Sequence, residues 1–478
     1  MGGLLSALQS AGGSLHVFEQ AMGVIQNNVA NASTAGYVTQ SLDLSAKAFQ
    51  PGQNLYGGVE AGGVQSSRNQ FAEQAVWSQN DQLGTATQQS AGLKALEANF
   101  DISGNSGIPA ALSHLYSAFS AWSTTPGSAT AQQQVLSAAG QVTQAFNATA
   151  SNVAKLESQT NSQLQSTVSQ INQLSSQIAQ INVQKRNGGA TDGGLDASLY
   201  NNLEQLSKLA SINVQTQSDG TVSVLMGGQT PLVVGETQNA LQVSYSPTPG
   251  GTNPGAPPDA HIVTASGQDV TNVASQGALA GLLQFRNTTL PGVTGSGTQQ
   301  GSLNQLAQSV ADRVNTLLTN GQISSGPPAV PGLPLFSYAA GSATSVAGTL
   351  SLTNITGAQL AAIDPAPPAV ANGTADHLAR LATPQAAADM VNGMSYMDYY
   401  GSIATGIGGQ ASSAAVAETA QTQLLTQAQN MRSQVSGVSL NDQAAKLLQF
   451  QQAYEAASHM VAVISQTLQS FMTAMQST

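Results

Sequence analysis

Both ends of the chain carry a heptad seam, and no other feature limits its fold as much. At the start, Leu4, Leu8, Ala11, Leu15, Phe18, Met22, Ile25 and Val29 recur at alternating spacings of four and three. At the end, Leu447, Phe450, Tyr454, Ala457, Val461, Ile464, Leu468, Phe471 and Met475 do the same. A repeat of this kind makes a narrow apolar stripe, suited to a coiled-coil partner rather than to the broad face of a helix lying on a core. The stripes predict that the terminal helices pair with each other. Separate packing of each helix on the body is the alternative. The first helix should break at Asn31-Ala32-Ser33-Thr34-Ala35-Gly36, where turn formers cluster. The last should start at Ser439 or Asn441, after Gly437.

Between the ends, Ala129–Val183 reads as one long helix, with Val135, Val142, Phe146, Val153, Leu164, Ile171 and Ile178 at helical period and no Pro. Such a helix is about 75 Å long, a length that suits a rod better than a globular enzyme. It should stop at Asn187-Gly188-Gly189, with a second helix over Ala197–Ala210. The pattern then turns to period two. Ile212-Asn213-Val214 and Thr221-Val222-Ser223-Val224-Leu225 flank Asp219-Gly220, a hairpin signal. Leu232–Val234 and Leu241–Val243 extend the β region. Pro-rich linkers fall at Pro247–Pro258 and Gly326–Pro334, and helices are predicted over Ala278–Asn287, Leu303–Leu318, Pro384–Tyr400 and Val416–Val435, with a strand at Thr349–Leu352.

The fold class is therefore mainly α with β insertions: paired terminal coiled-coil helices, a long helical rod domain and a β-containing middle. Residues 1–38 and 437–478 form the terminal helical domain. Residues 39–324 and 384–436 form the rod, with a β subdomain near 211–275. Residues 325–383 remain as a small, variable outer segment.

Charged residues make up 7% of the 478, against about 25% in ordinary soluble domains. So few charges leave little repulsion between copies, which suits a subunit that polymerises. The formal net charge is −11, and the 12 Lys and Arg are scattered, so no basic patch points to nucleic acid. There is no cysteine, which excludes disulfides, thiolate metal sites and Cys nucleophiles. No apolar run is long enough for membrane insertion, and the start lacks the basic region of a secretory signal. Met1-Gly2-Gly3-Leu4-Leu5-Ser6 fits an N-myristoylation pattern, but the helical stripe is the stronger reading of those residues.

No catalytic constellation is visible. His16, His114, His261, His377 and His459 lie at no metal-ligand spacing. Gly295-Ser296-Gly297-Thr298-Gln299-Gln300-Gly301 lacks the spacing and the Lys of a phosphate loop. Asp192-Gly193-Gly194 reads as a turn between helices rather than a calcium loop. Neither catalytic residues, a cofactor nor a metal is expected.

Asn27-Asn28-Val29-Ala30-Asn31, followed by Gly36-Tyr37, resembles the signature of the bacterial flagellar axial proteins, which comprise rod, hook and hook-associated proteins. Its family-motif residues are Asn27, Asn28, Ala30, Asn31, Gly36 and Tyr37. The C-terminal run Ser436-Gly437-Val438-Ser439-Leu440-Asn441-Asp442-Gln443, leading into Gln451-Gln452-Ala453-Tyr454, is similar to the first hook-associated family. Ser439 and Gln443 stand where that family usually has Asn and an acidic residue. Gly281-Leu282-Leu283-Gln284-Phe285-Arg286-Asn287 with Leu290-Pro291 is similar to the same family's middle.

The resemblance implies an extracellular structural subunit, exported through the flagellar type III apparatus without a cleaved signal. It implies self-association into a ring between hook protein and the second hook-associated protein at the hook–filament junction. It also implies that an export chaperone binds the C-terminal helix. The expected assembly interface is Leu4, Leu8, Leu15, Phe18, Met22, Ile25 and Val29 with Leu447, Phe450, Tyr454, Val461, Ile464, Leu468 and Phe471. A hook or rod protein of the same axial family, or an exported coiled-coil adhesin, is the alternative. The adhesin does not account for an axial motif at each end.

Overall fold

The computed structural model describes residues 2–50, 55–101, 103–189, 192–253, 255–339 and 344–476. Met1 of the myristoylation pattern and residues 340–343 of the expected outer segment lie outside the described residues.

In chain order, α1 (Gly2–Ala30) is followed by β1 (Gln40–Ala46), the short strands β2 (Phe49–Gln50) and β3 (Leu55–Tyr56), and β4 (Val59–Ser66). Then come α2 (Gln70–Glu97), α3 (Gly107–Thr124), α4 (Ala129–Gln184) and α5 (Gly193–Leu209). Strands β5 (Ile212–Thr216), β6 (Val222–Met226), β7 (Thr230–Val234), β8 (Thr237–Gln238), β9 (Leu241–Ser246) and β10 (Asp259–Thr264) follow. The remainder is helical apart from short strands, with α6 (Ala278–Gln284), α7 (Leu290–Thr294), α8 (Ser302–Asn320), α9 (Val346–Thr349), α10 (Gly373–Arg380), α11 (Tyr396–Ser436) and α12 (Leu440–Gln476).

The long helix forms as its period requires. α4 runs for 56 residues and ends at the expected place, where Gly188 adopts a φ of 107°. The Asp192 turn proves to be the cap of α5: its carboxylate accepts from Gly194 N and Leu195 N, satisfying donors left free at a helix start. The Asp-Gly signal likewise gives a hairpin, with β5 and β6 antiparallel and Gly220 at a φ of 78°.

The chain makes two compact units, Met1–Gln82 with Ile171–Ala240 and Gln421–Thr478, and Leu83–Gln170 with Leu241–Ala420. These lines differ from the three-part division read from the sequence, because α2, α4 and α11 each supply residues to both units.

In the first unit, α1 lies with α12 and with the β1–β4 hairpin. Ser10 Oγ donates to Gly57 O at 2.7 Å, fixing the hairpin on the helix. The four-stranded sheet β5-β6-β7-β8 turns Val222, Val224 and Met226 inward at period two. Asn182, fully buried at the end of α4, donates to Val222 O and Gly235 O and accepts from Val222 N.

In the second unit, Phe119 and Trp122 of α3, Val135 and Phe146 of α4, Leu306 and Val310 of α8 and Tyr396 of α11 form one core. Arg286, 2% exposed, ties it together by donating to Glu157 at 2.7 Å and Asn161 at 2.9 Å. β9 and β10 pair here, so the β material near 211–275 is divided between the units.

Two expectations need correction. Residues 325–383 are not a purely outer segment: Leu335, Phe336, Val346, Leu350 and Leu378 are buried in this core, which offers apolar side chains more burial than a small excursion could. Residues 384–395 are not a regular helix. They hold one 3-10 turn, Ala387–Asp389, and a tight turn in which Asn392 and Gly393 have φ of 52° and 76°. Left-handed values at an Asn-Gly pair end helical continuity, and α11 starts only at Tyr396.

Candidate assembly interface

α1 and α12 pack antiparallel. Near the base, Asn28 Nδ2 donates to Gln443 Oε1 at 2.9 Å. Further along, the rings of Phe18 and Phe450 lie 6.2 Å apart, and Tyr454 OH donates to Glu19 Oε1 at 3.2 Å.

Along the seam Leu4, Leu8, Leu15, Phe18 and Met22 are half-buried and Ile25 is buried, whereas Val29 is exposed. Ala21 and Asn28 are buried beside the positions expected for Met22 and Val29. Asn28 is turned toward β1 as well as α12, since it bonds both Gln40 and Gln443. The hairpin is a second neighbour of α1 and widens its buried face, and Val17, off the expected seam, is buried too.

On α12, Leu447, Phe450, Tyr454, Val461, Ile464 and Leu468 are half-buried around a buried Ala457, and Phe471 is exposed. α12 has 37 residues and α1 has 29, so in this register the last turns of α12 run past the start of α1.

The family-motif residues build the base of this seam. Asn28 is fully buried and makes four hydrogen bonds. Its amide nitrogen donates to Gln40 O at 2.8 Å and to Gln443. Its oxygen accepts from Tyr37 OH at 2.9 Å and from Gln40 N at 3.0 Å. One side chain thus ties α1 to its own turn, to β1 and to α12. Asn31 Nδ2 donates to the backbone and side-chain oxygens of Asn27, and Thr34 Oγ1 donates to Asn31, fixing the turn after α1. Ala30 is exposed. Gly36 has a φ of 75°, and a Cβ there would strike Ala197 O, so glycine is required twice over. On the other side, Ser436 is a buried hub. Its hydroxyl lies 3.1 Å from both Ser67 O and Asn69 N, and its carbonyl accepts from Thr39 N at 3.0 Å.

Beside this clasp lies an ion network that sequence reasoning missed. Arg68, 6% exposed in its side chain, meets Glu73 at 2.6 Å and Asp196 at 3.0 Å, and donates to Gly36 O at 2.7 Å. Lys185 reaches Asp196 at 3.3 Å, and Arg432 reaches Glu204 at 2.6 Å and Glu73 at 3.2 Å. The guanidinium of Arg68 stands 3.6 Å over the Tyr200 ring, which stacks on Trp77. Burial works against the charge on Arg432, but Glu204 and then Glu73 outweigh it and hold its pKa above the usual value. Three cations and three carboxylates balance. The available signal was scarcity: in a chain with 12 Lys and Arg, each buried one needs a reason.

Among the described residues no group of three His, Cys, Asp or Glu could hold a metal ion, and no helix is long and apolar enough to cross a membrane. What the fold and the clasp define is a helical protein whose two ends are bound into one unit by family-motif residues.

Residues 93–336 match the family described as the flagellar hook-associated protein FlgK helical domain. The chain is 24% identical to flagellar hook-associated protein 1 of Bacillus subtilis, over 96% of each. It is 26% identical to the protein of that name from Salmonella typhimurium, over 67% of this chain and 58% of that one. The solved structure described as the flagellar hook junction protein FlgK from Burkholderia pseudomallei shares the fold, with a TM-score of 0.64 at 18% identity, over 77% of this chain and all of that one. The chain belongs to the FlgK family of flagellar hook-associated proteins.

Proposed function

We propose that this chain is a structural subunit of the hook–filament junction, an adaptor between hook and filament on which filament assembly depends. The observation that carries the reading is the antiparallel pair of terminal helices, locked at its base through Asn28. In this reading copies associate in a ring, with hook protein on one side and the second hook-associated protein on the other. The chain reaches that position by type III export, and an export chaperone takes the C-terminal helix beforehand. Nothing in the proposed role calls for a catalytic group or a cofactor.

The test is electron microscopy of hook–basal bodies from a strain lacking this gene. Complete hooks that release flagellin without growing filaments support the junction role. Absent or shortened hooks favour a hook or rod protein, and normal filaments with lost surface adhesion favour the exported adhesin.

A further inference from the structure

An Asn followed by Gly is open to a reaction of the chain with itself. No side chain on the second residue keeps its amide nitrogen from the side-chain carbonyl carbon of the first. The chain holds four such pairs, Asn187-Gly188, Asn320-Gly321, Asn372-Gly373 and Asn392-Gly393. Two are committed elsewhere. Gly321 N donates to Leu317 O and Leu318 O, both at 3.1 Å, and Gly373 N donates to Val370 O at 3.1 Å. Asn372 Nδ2 is held on Ser123 O at 2.8 Å, and both of these glycines are buried.

Asn392-Gly393 differs on each count. Both residues are exposed, and among the described residues the Gly393 amide has no hydrogen-bond acceptor. A Cβ at Gly393 would meet nothing within 4 Å, so the space beside it is open. The turn is shut by a single bridge, not by a ladder: Val391 N donates to Met394 O at 2.9 Å, and Met394 N to Val391 O at 3.0 Å. The Asn392 side chain is also polarised. Tyr399 OH donates to Gln305 Oε1 at 2.7 Å, which turns Gln305 Nε2 toward Asn392 Oδ1, to which it donates at 3.4 Å. That donor stands where negative charge gathers when the carbonyl carbon is attacked. Burial raises the pKa of Tyr399, so its phenol stays a donor in mildly alkaline solution.

We propose that Asn392 is a site of spontaneous covalent modification, closing on Gly393 to a succinimide that water then opens. Gly393 N gives up its proton as it bonds to Asn392 Cγ. The bond from Cγ to Nδ2 breaks, and ammonia leaves with that proton. One water then cleaves either ring bond to the Gly393 nitrogen. Cleavage at Cγ leaves aspartate, and cleavage at the backbone carbonyl leaves isoaspartate. Either product adds a carboxylate. Isoaspartate also carries the backbone through its side chain, one carbon longer, so the turn no longer fits the bridge at Val391, a residue of the core. The amide is not regained, and the modified fraction therefore grows with the age of a copy.

The experiment incubates the purified full chain at mildly alkaline pH and follows its proteolytic peptides by mass and retention time. The Asn392 peptide should convert first of the four, with isoaspartate among its products. A polarising donor is worth about a hundredfold where water is excluded, and at an exposed site its removal by Gln305→Leu should slow Asn392 about threefold. The Asn187 peptide in the same digest should keep its rate. Tyr399→Phe, which removes only the hydroxyl that orients Gln305, should act in the same direction, with circular dichroism confirming that both variants are folded. Conversion of Asn392 no faster than that of Asn372, or to aspartate alone, overturns the proposal. An unchanged or faster reaction in both folded variants overturns the part given to Gln305.

Discussion

Asn28→Ala tests whether the clasp holds the terminal helices to the rest of their unit. The substitution removes a side chain with no exposed surface and strands four partners: Gln40 N, Gln40 O, Tyr37 OH and Gln443 Oε1. Gln40 is 9% exposed and Gln443 1%, so water reaches neither freely. A buried polar group left without a partner costs about 1–3 kcal/mol. Tyr37 is half-buried as a residue, and its hydroxyl is taken to recover a water, leaving three groups. With partial relaxation the loss should total about 3–5 kcal/mol, large for one substitution. Urea unfolding followed by circular dichroism measures it, and amide exchange at Gln40 localises it. Exchange at Gln40 should accelerate together with that of the α1 amides, while Phe119 and Val135 in the other unit keep their protection. A loss below 1 kcal/mol with unchanged exchange at Gln40 would show that Asn28 is not the anchor.

Three further outcomes follow from the same geometry. Val461→Asp puts a carboxylate into a seam that has no Lys or Arg, since the first Lys is Lys47 and none follows Lys446; at about 2 kcal/mol it should abolish filament growth in a complementation assay and leave the melt of the second unit in place, and normal filaments would contradict it. Arg68→Ala leaves the buried Glu73 and the half-buried Asp196 with one cation fewer, and should cost about 3 kcal/mol in a denaturant titration. Asp81, whose pKa burial raises to about 6 despite a hydrogen bond from Ser211, binds its proton more tightly folded than unfolded. Its neutral form therefore favours folding at low pH, and the benefit is lost as pH rises from about 4 through about 6. Asp81→Asn should stabilise the protein at pH 7 by about 1 kcal/mol, after allowance for solvent screening, and flatten the stability profile over that window; an unchanged profile would count against it.

Legibility tracked the range of the interactions. α1, α4 and α12 announce themselves because each carries a sustained apolar period, and the β5–β6 hairpin because Asp-Gly dictates its turn. The β1–β4 hairpin and α2 carry no such signature. α2 buries Ala72, Val76, Trp77, Ala86, Leu93 and Leu96, but Gln, Asn, Ser and Thr take much of the rest of the helix, so its faces contrast little. The ends of the chain could be matched as seams, but α1's second neighbour, the hairpin bonded to Ser10 and Asn28, could not be read from α1. The motif was recognisable as a string, whereas its purpose depends on Gln40 and Gln443, and the latter is 415 residues away from Asn28. The ion network is wholly of this kind: Arg68, Asp196 and Arg432 share no local pattern, and only folding brings them together.

That separation also sets an order of events. A chain synthesised N-terminus first presents α1 long before α12 exists to meet it, and closing so large a loop is slow compared with forming either helix. Until then the inner stripe of α1 and one side of Asn28 wait. The clasp is thus a check on completeness: a chain cut short anywhere before Gln443 holds its first thirty residues by the hairpin alone, and the seam shuts only when α12 follows.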